Sequence, residues 1–220
     1  MILELNRARR VLIVGLVIGV VTIGLMIYFN PNPFLLLMFV FLYLYTLVKY
    51  SKRVSMKELN DYERLLHHHE QVLDYYRIYE NLLNKNISKD PRWHVKKRQN
   101  LCLASMALND KHKMQEHLSK LKEEHQEVYR VQPLFTYMRE TLILMSQIIQ
   151  GQKASFKAYE SAFSDLDKET QNHIKSNVHS YHRWLYQYPH YREEEIAELP
   201  FVLKKLTEYT KDNEAKKEEF

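Results

Sequence analysis

The chain has 220 residues, 45% of them apolar, a formal net charge of +5, four glycines, six prolines and one cysteine. A lone Cys102 excludes an intrachain disulfide and suits a reducing compartment. So few glycines leave little material for tight hairpins or for loops that wrap a phosphate, and no nucleophile elbow, Gly-rich phosphate loop or dinucleotide fingerprint occurs. Residues 1–50 carry four basic residues and one acidic one, which leaves only +2 for the other 170. The excess charge is therefore a border effect of the N-terminal region, and nucleic acid is not an expected partner.

Two apolar runs, Val11–Phe29 and Phe34–Val48, are separated only by Asn30-Pro31-Asn32-Pro33. The first has nineteen uncharged residues, thirteen of them Val, Ile, Leu or Phe. At helical rise it extends about 28 Å, close to the thickness of a bilayer's hydrocarbon layer. The second reaches about 22 Å, lengthened by Pro33 and by the stem of Lys49, with Tyr43, Tyr45 and Tyr50 suited to the interface. Arg7, Arg9 and Arg10 precede the first run, Lys49, Lys52 and Arg53 follow the second, and the connection is uncharged. This asymmetry predicts a two-span hairpin (about 11–29 and 34–49) in the cell membrane with both termini cytoplasmic. A cleavable signal peptide fits poorly, because the run is long and no small-x-small site follows. Gly15 and Gly19 form a G-x-x-x-G pair for close helix packing, against the second span or against another membrane protein.

Beyond the spans the pattern predicts helices near 56–84, 91–108, 111–129, 133–150, 153–165, 168–187 and 192–211, the last interrupted at Pro200. Ser55-Met56-Lys57-Glu58 is a capping-box pattern and predicts a break between the second span and the 56–84 helix. Asp90-Pro91 and Gln132-Pro133 place proline at a first helical position, Asp110 and Asp167 are N-cap candidates, and Gly151 suits a left-handed C-terminal cap. Tyr62, Leu65, Val72, Tyr76, Tyr79 and Leu83 follow helical spacing, with His69 in the remaining slot. Met114, Leu118 and Leu121, and then Leu134, Met138, Leu142, Met145 and Ile149, mark two further faces. The expected organisation is a membrane hairpin (1–50), a juxtamembrane helix and linker (51–90), a helical domain (91–211) and a fraying polar tail (212–220). The fold class is all-α, with short connections implying antiparallel neighbours.

Within the helical domain, the breaks Asn109-Asp110 and Gly151-Gln152 lie about 42 positions apart. Each separates an apolar helix from an amphipathic one. Ala158-Tyr159-Glu160-Ser161-Ala162-Phe163, and Leu101-Cys102 followed by Leu118 and Leu121, resemble the helix pairs of tetratricopeptide-repeat proteins over about 91–165. The spacing exceeds the family's repeat of about 34 residues, Trp93 is not at the family's tryptophan position, and the glycine after the first-helix leucine is absent. The resemblance implies a stack of α-hairpins whose concave face binds peptides or protein helices.

Two patches suggest binding. Arg92-Trp93-His94-Val95-Lys96-Lys97-Arg98 could meet anionic headgroups through Arg92, Trp93, Lys96, Lys97 and Arg98, or be an ordinary basic helix face with Trp93 and Val95 turned inward. The segment from His179 to Arg192 offers Tyr181, Arg183, Trp184, Tyr186, Tyr188 and Tyr191 for a protein partner, aromatic and Arg residues being typical of interface hot spots. Packing of Tyr181, Trp184 and Tyr188 inside the domain competes with that reading. Eleven histidines invite a metal, yet the successive His67, His68 and His69 diverge on a helix, and His112/Glu116 and His179/His182 are only pairs. No metal or other cofactor is expected. Cys102 reads as a small buried apolar residue. The function these features favour is a non-catalytic, membrane-anchored cytoplasmic adaptor that binds a protein partner. An accessory subunit of a larger membrane complex, assembled through its spans, is the alternative, and an unrecognised, possibly metal-dependent enzyme comes third. A homo-oligomer is possible on the same surfaces.

Overall fold

The computed structural model describes residues 5–29, 32–68, 71–86 and 88–218, with side chains to 215. Every regular element among the described residues is helical. The chain divides into two compact units, residues 1–64 and 65–220.

The first unit holds α1 (Asn6–Phe29) and most of α2 (Pro33–Leu65), both long and apolar enough to cross a membrane. Asn32 starts α2, its side-chain oxygen accepting from the amides of Phe34 (3.0 Å) and Leu35 (3.4 Å), while Asn30 and Pro31 of the connection lie outside the described residues. The two helices run antiparallel. Gly19 lies against Tyr43, Gly15 against Leu47, and Arg7 and Ala8 against Glu58. A Cβ on Gly15 would fall inside the Leu47 side chain, and one on Gly19 would come 2.5 Å from the Tyr43 ring. The Tyr43 hydroxyl uses the space by donating to the Gly15 carbonyl at 2.5 Å. Leu47, Ser51, Ser55 and Leu59 continue the buried stripe at helical spacing. Along the apolar runs the remaining faces are bare, with Val20, Phe29, Phe34 and Phe41 each more than 65% exposed.

The break expected at Ser55 does not form; α2 is continuous to Leu65. Both halves of the capping box are engaged elsewhere. The Ser55 hydroxyl donates one turn back to the Ser51 carbonyl at 2.9 Å. The Glu58 carboxylate, 1% exposed, accepts from the backbone amides of Arg7 (3.1 and 3.2 Å) and Ala8 (3.2 Å), and from the Tyr62 hydroxyl at 2.7 Å. Orphan amides at the start of α1 are thus satisfied by a side chain fifty positions away. Arg7 adds an ion pair to Asp61 at 2.7 Å. With no glycine or proline between Pro33 and Pro91, nothing else stops the helix before residue 65.

In the second unit the elements are α3 (Val72–Asn84), α4 (Pro91–Ala107), α5 (Lys111–Glu123), α6 (Gln126–Val131), α7 (Pro133–Ile149), α8 (Phe156–Ser161), α9 (Lys168–Asn177), α10 (His179–Gln187), a 3₁₀ turn (Tyr188–His190), α11 (Glu193–Glu198) and α12 (Phe201–Glu218). Helices α4 and α7 are the axis. The first packs on α3, α5, α7 and α12; the second also receives α6, α8, α9, α10 and α12. Enclosure of α4 explains why Leu101, Cys102, Leu103, Ala104, Ser105 and Met106 are all buried in sequence, with no polar face. Asp90 caps α4 through the Arg92 amide, Asp110 caps α5 through that of Lys113, and Asp167 caps α9 through that of Thr170. Pro91 and Pro133 open their helices, and Gly151 takes φ 64° after α7.

Five boundaries differ from expectation. The 56–84 helix is two pieces, α2 ending at Leu65 and α3 starting at Val72, with His69 and Glu70 outside the described residues. His125 adopts φ 54° and splits 111–129 into α5 and α6. The 153–165 helix shrinks to the six residues of α8, and 168–187 breaks at Val178. At the C-terminus α12 continues to Glu218 through the expected polar tail, while residues 219–220 lie outside the described residues. Pro200 separates α11 from α12, as its missing amide hydrogen requires.

Candidate binding site

Helix α10 carries most of the aromatic residues singled out in the sequence, and it turns several of them inward. Trp184 is fully buried; its indole N–H donates to the Thr207 hydroxyl of α12 at 2.7 Å, and its ring lies 5.0 Å from that of Tyr188. Tyr188 and Tyr191 are buried as well, and Tyr181 is half-buried. The spacing of Tyr181, Trp184 and Tyr188 correctly marks a single face, but that face meets α12 and the core. Trp184, Tyr188 and Tyr191 are therefore packing residues, not free surface. Of the six, Arg183 and Tyr186 are exposed, Arg183 donating to the Gln187 side chain at 2.7 Å.

Tyr186 borders a cavity of about 240 Å³ that the sequence did not announce. Helix α7 contributes Tyr137; α8 contributes Tyr159 and Glu160; the turn after it contributes Phe163, Ser164 and Leu166. Helix α9 adds Gln171, Ile174 and Lys175, and α10 closes the wall with His182 and Tyr186. The rings brace one another edge to face. Tyr137 and Phe163 are 4.7 Å apart, Tyr159 and Phe163 5.5 Å, His182 and Tyr186 4.7 Å, and Tyr137 and His182 6.0 Å. Such offset arrangements hold aromatic walls rigid.

Polar groups fix this frame. The Gln171 amide donates to the carbonyls of Phe163 (3.0 Å) and Leu166 (2.8 Å), which pins the turn on α9. Tyr159 and Thr141 share a hydroxyl hydrogen bond of 2.9 Å in the core. At the mouth the Tyr186 hydroxyl donates to Glu160 at 2.6 Å; burial, then the Glu160 carboxylate, raises its pKa well above the ordinary phenol range. Burial lowers His182, and the charges of Lys175 and His179 lower it further, so the imidazole is neutral at pH 7. Its Nδ1 is buried with no protein partner. The site is thus an apolar, aromatic depression with one neutral imidazole inside and a carboxylate and a lysine at its rim. At about 240 Å³ it is smaller than most small-molecule pockets, and suits a single bulky side chain.

The basic segment of α4 disperses. Arg92 pairs with Asp90 at 3.1 Å, and Trp93 is half-buried, edge-on to His94 at 5.2 Å. Lys96 is exposed, but Lys97 is 3% exposed with its ammonium 4.7 Å from the centre of the Tyr79 ring, and burial lowers its pKa to about 8. Arg98 reaches Glu124 at 2.9 Å. Val95 is core, beside Val128, Tyr129 and Phe135. Consecutive residues on a helix point about 100° apart, so a run of cations along the sequence does not make one cationic surface. Lys97 and Arg98 are withdrawn from the headgroup contact expected of them.

Gly15 and Gly19 face α2 inside the hairpin. Among the described residues no three of His, Cys, Asp and Glu converge as metal ligands. His112 is exposed, and Glu116 pairs with Lys120 at 2.6 Å. His117 is buried against the Tyr76 hydroxyl at 2.9 Å. Burial pushes the Cys102 thiol far up, as in an inert core cysteine. Tyr159 and Phe163 belong to the repeat-like segment 158–163, and His182 to the His179/His182 pair. Tyr137 lies about forty-five positions from His182, and no periodicity links them. Compared with protein-family models, curated proteins and solved structures, the chain matches none.

Proposed function

We propose that the chain is a membrane-anchored adaptor: α1 and α2 cross the cell membrane as a hairpin with both termini cytoplasmic, and the second unit binds a protein partner. The observation that carries the binding half is the braced aromatic depression between α7, α8, α9 and α10, with Tyr186 at its mouth. It is sized for one anchoring side chain, and buried aromatic pockets are where binding energy concentrates. The anchor is supported by two helices whose outward faces are almost wholly apolar, flanked by cations and joined by an uncharged turn. Exposed apolar area on that scale calls for lipid or protein cover.

The tetratricopeptide-like reading of 91–165 is supported by α4 and α5, a packed helix pair in which Leu101, Cys102, Leu118 and Leu121 are all buried. The second pair, α7 with α8, departs from it because α8 is one and a half turns long. That shortening opens the depression. Gly15 and Gly19 pack on α2, so a larger membrane complex, the second reading, would assemble through the exposed apolar faces of the spans.

The test is a photo-crosslinking amino acid at Tyr186 in the full chain in native membranes. A discrete protein adduct at position 186, absent when the crosslinker stands at the more exposed Val131, is the expected result. No adduct, or the same adducts from both positions, would refute the site.

A further inference from the structure

Unbroken α2 places Lys49, Lys52, Arg53, Met56, Lys57 and Asn60 on one face, lining a shallow groove directly after the apolar run. Their spacing of three and four residues keeps them within an arc of about 140°. Ser51, Ser55, Glu58 and Leu59, on the opposite side, are buried. All four cations are exposed, and no ion pair engages Lys52, Arg53 or Lys57 among the described residues. From Pro33 to Lys57 the helix contains no acidic residue, and the first one, Glu58, is buried as the cap of α1. The face is therefore a run of four exposed cations with no acidic residue between them and an apolar side chain, Met56, 54% exposed in its midst.

Height decides the occupant. Past Val48 the rise of α2 puts Lys49 about 1.5 Å, Lys52 about 6 Å and Arg53 about 7.5 Å beyond the apolar segment, with Lys57 at about 13.5 Å. A leaflet's headgroup layer is about 5–7.5 Å thick, so Lys49 and Lys52 stand within it and Arg53 at its outer edge. Lys57 stands within about one Debye length of its surface. We infer that this face of α2 is a binding site for anionic phospholipid headgroups, the phosphate oxygens meeting Lys49, Lys52 and Arg53 while Lys57 adds its attraction from just above the layer. The inference rests on the membrane reading above. It also needs the continuity of α2: a break at Ser55 would have taken Lys57 out of register with Lys49.

The experiment uses the full chain in phosphatidylcholine bilayers carrying spin-labelled phosphatidylserine or spin-labelled phosphatidylcholine, and reads the lipid fraction immobilised by the protein. Phosphatidylserine should be preferred by about threefold or more at low salt, and the preference should fade in high salt. The combined variant Lys52→Gln, Arg53→Gln, Lys57→Gln should bring the ratio to about one. Removing three exposed cations elsewhere (Lys153→Gln, Lys157→Gln, Lys168→Gln) should leave it unchanged. Stable insertion with equal association of the two lipids, or a preference that survives the α2 variant, would overturn this inference and leave the membrane anchor standing. Release of the protein from membranes by alkaline carbonate would overturn the anchor and the lipid site together.

Discussion

His117 gives the most direct test of how the second unit is held together. It is 3% exposed on α5, one ring nitrogen 2.9 Å from the Tyr76 hydroxyl of α3. Burial, followed by the nearby charge of Arg98, lowers its pKa from 6.5 to about 4. A base whose pKa is lower in the folded state takes up protons more readily when unfolded, so the folded state loses stability as pH falls through the window from 6.5 to about 4. The full window corresponds to about 3 kcal/mol, and the step from pH 7 to pH 5 to about 2 kcal/mol. Both tryptophans, Trp93 and Trp184, lie in this unit, and Trp184 is fully buried, so indole fluorescence follows its unfolding. Urea titrations of the full chain in mild detergent at pH 7, 6 and 5 should show the loss. His117→Leu keeps an apolar group of similar size in the site and removes the proton. It should be less stable than the parent at pH 7 by about 1 kcal/mol for the hydrogen bond, yet flatter between pH 7 and 5 by about 2 kcal/mol. Other groups, such as His182, remain in both proteins and cancel in the comparison. Equal slopes for parent and variant would refute the claim that a buried neutral imidazole joins α3 to α5.

Two further expectations follow from buried charge. Lys97, its pKa lowered to about 8 by burial, makes the second unit gain stability as pH rises from about 8 toward 10, where the unfolded state still holds the proton. Lys97→Met should flatten that rise and stabilise the unit at pH 7 by about 1–2 kcal/mol, less the lost contact with the Tyr79 ring; the same urea titrations measure it. In the hairpin, Glu58→Ala removes the shared acceptor of the Arg7 and Ala8 amides. A loss of about 2 kcal/mol of local protection should speed their hydrogen exchange about thirtyfold, whereas Glu58→Gln, keeping one acceptor oxygen, should show a smaller change.

What could be read before the structure was whatever is decided within a few residues. Asp90, Asp110 and Asp167 each cap an amide two or three positions ahead, Pro91 and Pro133 forgo an amide hydrogen that no helix would use, and Gly151 relieves a left-handed turn on the spot. The two apolar runs are legible for the same reason, each being a contiguous stretch. His125 carried no such mark. Its left-handed backbone is a residue type's rarer choice, imposed where α5 must end and α6 begin, and a helix-forming composition on both sides concealed it.

The two larger errors share one cause, which concerns the candidate sites directly. Ser55 and Glu58 have the right chemistry for a local cap, but the start of α1 competes for the same carboxylate. An antiparallel partner brings two backbone amides to Glu58, whereas a cap at Ser55 would have broken a helix that has no other reason to stop. Likewise the spacing of Tyr181, Trp184 and Tyr188 identifies a face without saying which side of the helix the core is on. Thr207, twenty-three positions beyond Trp184, settles it by accepting the indole N–H. The residues left outside are those the stripe excluded, Arg183 and Tyr186, and it is Tyr186 that borders the depression. Periodicity thus marked a face, and burial decides in favour of packing, the second of the two readings it allowed. The same reasoning applies to the cations: the contiguous basic run on α4 scatters into core and ion pairs, while Lys49, Lys52, Arg53 and Lys57, spread over nine positions, are gathered by one uninterrupted helix into a single strip.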